Sequence, residues 1–172
     1  MPKLSRRGFL KLSGGTAAAG TTSLLLGGTA VAAQPLNSGR VTLDYPRKEI
    51  TKASALQPGD TLTFNYPDDT SPCTLIRLDQ AVADGAGADA DIVAYSKLCS
   101  HMGCLVEYEA ERGVLKCACH YSLFDPGKHG QQVCGQSTVN LPRITLLHDS
   151  STDMLTAVGV DGLIYGRQAN IL

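Results

Sequence analysis

Cys99-Ser100-His101-Met102-Gly103-Cys104 and Cys117-Ala118-Cys119-His120-Tyr121-Ser122 together hold four of the six cysteines and two of the four histidines of this 172-residue chain. Each stretch adjoins short runs that read as strands. Ile92-Val93-Ala94-Tyr95-Ser96 precedes the first. Cys104-Leu105-Val106-Glu107-Tyr108 and Val114-Leu115-Lys116-Cys117 flank a turn at Glu111-Arg112-Gly113 and lead into the second. Further out, Val41–Tyr45, Thr61–Tyr66 (after the turn Pro58-Gly59-Asp60) and Cys73–Leu78 are strand candidates, and residues 83–91 are a loop by composition. Leu155–Val160 and Leu163–Tyr165 flank Asp161-Gly162, a strong short-range hairpin signal. No segment after the first forty residues keeps a helical period for three turns, so the class is all-β.

The two Cys–His stretches lie in loops, and two such loops can meet around one metal centre. Three chemistries use these ligands. A structural zinc would take two Cys and two His, although zinc spacing usually pairs like with like. A disulfide framework alone leaves the histidines unexplained. A [2Fe–2S] cluster with two His replacing two Cys on one iron needs one Cys and one His from each loop, which Cys99 with Cys117 and His101 with His120 supply. Cys104 and Cys119 then remain, one per loop, and in an oxidising compartment they can bridge.

Composition narrows the setting. Residues 1–33 carry Lys3, Arg6, Arg7 and Lys11 and no acid, so the remaining 139 residues hold 11 basic against 16 acidic side chains. That surface is unsuited to nucleic acid, which needs concentrated positive charge. Arg6-Arg7 stand before a weakly apolar stretch that ends in Ala30-Val31-Ala32-Ala33. This has the three regions of a twin-arginine export signal with a small-residue cleavage site. The expected division is therefore a signal over 1–33 and one domain over 34–172, exported to the periplasm. Membrane attachment is expected only if the signal stays uncleaved.

The two stretches match in full the Rieske signature Cys-x-His-x-Gly-Cys and Cys-x-Cys-His-x-Ser, and the chain resembles Rieske iron–sulfur proteins. The resemblance implies an antiparallel β-sandwich or barrel with a small cluster-binding subdomain, here about residues 95–142, and one [2Fe–2S] cluster per chain. Ser71-Pro72-Cys73, Asp91–Ser96, Cys134-Gly135-Gln136, Asn140-Leu141-Pro142-Arg143 and Gly159–Asn170 further resemble the small subunit of arsenite oxidase. That family implies a molybdopterin-containing large subunit as partner. It also implies a soluble cytochrome c or blue-copper protein as acceptor, and no catalytic residue on this chain.

By the same resemblance, Ser122 donates a hydrogen bond to a bridging sulfide. Phe124 stands where quinol-oxidising relatives have a Tyr whose hydroxyl bonds a ligand sulfur, and Tyr121 stands where they usually have Gly. These departures count against the alternative of a quinol:cytochrome c oxidoreductase subunit. A zinc-stabilised module without redox function is the remaining alternative. Cys73 and Cys134 can pair or stay free thiols, and His129 and His148 lack ligand spacing.

Overall fold

The computed structural model describes residues 44–171. The signal segment, its boundary at residue 33, and most of the strand expected over Val41–Tyr45 lie outside the described residues. Ten strands follow in order: β1 (Lys48–Lys52), β2 (Thr61–Asn65), β3 (Pro72–Arg77), β4 (Ile92–Ser96), β5 (Val106–Glu109), β6 (Val114–Cys117), β7 (Leu123–Asp125), β8 (Gln131–Cys134), β9 (Arg143–Asp149) and β10 (Met154–Asp161). Every pairing between them is antiparallel. Among the described residues the only helical pieces are three single 3-10 turns.

The strands form two sheets. The larger has the order β1-β10-β9-β4-β3-β2, and the smaller runs β5-β6-β7-β8 in sequence. The smaller sheet is inserted between β4 and β9, which meet at the pair Tyr95↔Arg143. The alternation of β3 and β4 explains how two cores arise from one sheet. Leu75, Ile92 and Ala94 point to one face and pack with Ile144, Leu155 and Ala157. Ile76, Val93 and Tyr95 point to the other face and pack with Cys99, Val106, Leu115, Cys117 and Phe124 of the inserted part. Successive strand residues face opposite sides, so a continuous apolar run such as Ile92-Val93-Ala94-Tyr95 serves two cores at once. Burying each large aliphatic or aromatic side chain contributes about 1.5–3 kcal/mol. Tyr95, fully buried, also donates its hydroxyl to the Pro126 carbonyl at 2.7 Å, tying β4 to the turn after β7.

Two expectations are corrected. Asp44 and Tyr45 lie in no strand, and the first strand begins at Lys48. Asp161-Gly162 does not close a hairpin. Such a turn needs positive φ at both residues, but only Gly162 (φ +91°) has it, and Asp161 stays paired with Arg143. Leu163–Tyr165 form no strand, because the Ile164 amide is bonded to the Asn170 side chain at 2.9 Å. The hairpin is instead β9–β10, turned by Asp149, which accepts the Ser151 amide at 2.8 Å.

Candidate metal centre

The first Cys–His loop leaves β4 and is closed on itself. The Cys99 amide donates to the Cys104 carbonyl and the Gly103 amide to the Cys99 carbonyl, each at 2.8 Å, while Leu98 bridges Leu105. The second loop leaves β6, and the Cys117 amide donates to the Ser122 carbonyl at 2.9 Å. Because Cys117 pairs with Val106 across β5–β6, the ladder itself brings the second loop beside the first. Cys104 and Cys119 form a disulfide between the loops, with Cα atoms 6.4 Å apart.

Cys99 and Cys117 are each only 1% exposed and are free thiols. Burial pushes the Cys99 thiol up. The His101 and Met102 amides pull the other way, and the neighbouring Cys117 sulfur adds to the rise. The His101 and His120 rings lie edge to face with centroids 4.7 Å apart. His120 is exposed and His101 half-buried, yet His101 Nδ1 is buried with no hydrogen-bond partner. A buried imidazole nitrogen without a partner is costly unless it is a ligand. Two buried sulfurs and two adjacent imidazoles, one with an orphaned nitrogen, fit a centre ligated by two Cys and two His. The Cys117 sulfur also lies within 4.8 Å of both disulfide sulfurs, but those two are bonded to each other and offer no thiolate to zinc.

A third loop, residues 135–142, closes over the other two. Gly135 has φ +99°, and a Cβ there would stand 2.4 Å from Ser122 Cα, so only glycine permits this approach. Ser122, fully buried, accepts the Ser137 amide at 3.0 Å. The Ser137 and Ser100 hydroxyl oxygens are 2.6 Å apart, and both lie within reach of the Val139 carbonyl, at 2.9 and 3.0 Å. With one proton each, one hydroxyl donates to the carbonyl and the other to its neighbour. Ser100 and Ser137 were not legible as site residues, since a hydroxyl pair 37 residues apart leaves no pattern in sequence. Phe124 is fully buried in the same core as Cys99 and Cys117. Tyr121 has φ +58°, the region glycine enters without strain, and is 68% exposed.

Cys73 and Cys134 do not pair. The buried Cys73 thiol donates to the Tyr66 carbonyl at 3.3 Å, and Cys134 is exposed. His148 meets Asp153 at 3.0 Å and His129 meets Arg143 at 3.3 Å, both away from the centre.

An all-antiparallel pair of sheets carrying two hairpin-borne Cys–His loops clamped by a disulfide defines an iron–sulfur electron-transfer domain. The chain belongs to the Rieske [2Fe-2S] domain family, which matches residues 47–145, and it therefore binds a [2Fe–2S] cluster. Residues 3–23 match the twin-arginine translocation signal family. The chain is 40% identical to the iodate reductase subunit IdrB of Pseudomonas sp. (strain SCT), over 95% of this chain and 82% of that one. It is 32% identical to a putative respiratory nitrate reductase Rieske subunit of Haloferax mediterranei, over 91% and 77% respectively. Similarity to the cytochrome bc1 complex Rieske subunit of Corynebacterium glutamicum, at 37% identity, spans only 39% of this chain and 17% of that one. The soluble domain of Rieske protein II from Sulfolobus acidocaldarius shares the fold, with a TM-score of 0.63 at 22% identity over 73% of this chain and 83% of that one.

Proposed function

We propose that this chain is the electron-transfer subunit of an exported molybdenum oxidoreductase, and that Cys99, Cys117, His101 and His120 hold its cluster. The observation that carries the ligand set is the pair of buried free thiols beside two imidazoles, one with a buried, unpartnered Nδ1. The bound cluster supplies one-electron storage, at a potential raised by neutral imidazoles in place of two thiolates. The chain's own residues set the rest. Cys99 and Cys117 lie in the dry core, the disulfide and the Ser100–Ser137–Val139 bonds fix the loops, and exposed His120 marks the side open to a partner. Ser122 and Phe124 adjust the potential from within the core.

The substrate belongs to the partner, a large subunit holding a molybdopterin. Resemblance in sequence beyond the two Cys–His loops supports an arsenite oxidase as that partner, with electrons leaving through this subunit to a periplasmic cytochrome c or blue-copper protein. The similarity to IdrB over nearly the whole chain supports a second reading, an iodate reductase with the opposite electron flow. The short bc1 match, with Phe124 and Tyr121 where quinol-oxidising relatives carry Tyr and Gly, weighs against a quinol-oxidase subunit.

The test is purification of the native complex with metal analysis, followed by two assays on the same sample. Arsenite reducing the cluster supports the first reading. Iodate reoxidising the dithionite-reduced cluster supports the second. Absence of molybdenum and of any large partner sinks both. Periplasmic placement is tested by Arg6→Lys with Arg7→Lys, which should retain the protein in the cytoplasm.

A further inference from the structure

After β10 the chain runs through nine residues, Gly162–Asn170, without strand or helix, yet this strap is fastened at every turn. Ile164 is fully buried. The Asn170 side chain closes the strap on itself, accepting the Ile164 amide at 2.9 Å and donating to the Gly162 carbonyl at 2.7 Å. It also donates to the Tyr45 hydroxyl at 3.0 Å. Arg167 reaches across to the turn before β3, with Nη1 2.8 Å from Asp68 Oδ2 and Nη2 2.9 Å from Asp68 Oδ1 and 2.7 Å from the Thr70 hydroxyl. A bidentate guanidinium–carboxylate pair fixes direction as well as distance.

Between those anchors Tyr165 is laid on the first Cys–His loop. Gly103 has φ +72°, and a Cβ built there would stand 2.5 Å from Tyr165 Cδ1 and 2.8 Å from Cε1. The backbone of the loop and the Cδ1–Cε1 edge of the ring are therefore in direct contact, between His101 and Cys104 in sequence. Tyr165 remains 40% exposed, so the ring lies as a cover rather than as core.

We infer that the C-terminal strap is a fourth wall of the cluster site and that Tyr165 is a positioning residue, its ring holding the first cluster loop and shielding it from water. The inference rests on the cluster reading above. Its direction follows from charge. With two ferric ions, two sulfides, two thiolates and neutral imidazoles the oxidised centre is neutral, and reduction adds one negative charge. Water therefore stabilises the reduced state more than the oxidised state. Removing the cover should raise the midpoint potential and let the cluster be lost faster.

The experiment compares the parent with Tyr165→Ala, Tyr165→Phe and Arg167→Ala, measuring midpoint potential and the rate of cluster bleaching in mild denaturant. The expected result is an upward shift with several-fold faster bleaching in Tyr165→Ala and parent values in Tyr165→Phe, which keeps the ring. Arg167→Ala, which loosens the strap without touching the loop, should shift the same way by less. It also decides the matter if Tyr165→Ala does not fold. Parent values in Tyr165→Ala, or in Arg167→Ala where it stands alone, overturn the inference. A shift in Tyr165→Phe equal to that of Tyr165→Ala also overturns it, by assigning the effect to the hydroxyl. A parent without a Rieske paramagnetic signal on reduction would instead overturn the cluster reading itself.

Discussion

Ser122 Oγ accepts the Ser137 amide at 3.0 Å in a fully buried setting, so the one proton of the Ser122 hydroxyl is left to donate elsewhere. Donation toward a cluster sulfur favours the reduced, more negative state. Ser122→Ala should lower the midpoint potential by about 40 mV, the equivalent of about 1 kcal/mol of difference between redox states. It also strands the Ser137 amide, so stability should fall by about 1–3 kcal/mol. Potentiometric titration separates the two effects, and an unchanged potential would show that the hydroxyl proton does not face the cluster.

Phe124→Tyr adds a donor to a ring that shares its core with Cys99 and Cys117. If the new hydroxyl reaches either sulfur, the potential should rise by about 40 mV. A buried hydroxyl without a partner would be destabilising instead. A lowered potential with the cluster intact would mean that the ring edge points away from the sulfurs.

The four proposed ligands and the disulfide should differ in kind. Ala at Cys99, His101, Cys117 or His120 should abolish the cluster, read as loss of bound iron and of the low-average-g paramagnetic signal. Cys104→Ser with Cys119→Ser should keep the signal but bleach faster, since a closed loop of this size contributes about 2–4 kcal/mol of restraint. A normal spectrum in His101→Ala would refute the ligand set.

Acid should loosen the β9–β10 hairpin. Ser54 and His148 hold the Asp153 carboxyl down to about 2. Its Oδ2 accepts the Ser54 amide and its Oδ1 meets His148 Nε2, both at 3.0 Å. An unfolded Asp titrates near 3.9. The folded value is lower, so this contribution is complete above about pH 4 and disappears as pH falls toward about 2. Asp153→Asn should flatten that part of the profile. Urea midpoints of parent and variant that fall in parallel between pH 5 and 2 would show that Asp153 plays no part.

The Cys–His loops were legible because metal chemistry fixes residue types at fixed spacing, Ile92–Ser96 because Ile92-Val93-Ala94-Tyr95 is an uninterrupted apolar run, and Val114–Cys117 because it follows the turn signal Glu111-Arg112-Gly113. What stayed hidden depends on contacts distant in sequence. β7 and β8 are short and partly polar, and they are strands only because β6 supplies an edge. β9 alternates weakly, and its inward residue Ile144 acquires meaning only against Leu155 and Ala157. Asp161-Gly162 misled because a local turn preference lost to a ladder with Arg143 and a side-chain bond from Asn170.

The pair Tyr95↔Arg143 also bears on how the molecule reaches its fold. Residues 97–142 leave and re-enter the larger sheet at one place, so that sheet bears the entropy of closing the excursion. Within it, β5 to β8 zip up neighbour to neighbour, a route of short closures and fast steps. The larger sheet, by contrast, must join β1 to β10 across most of the chain. The cluster-bearing part therefore closes through its own short turns, whereas a break near Tyr95 or Arg143 would free both ends of the excursion from the larger sheet.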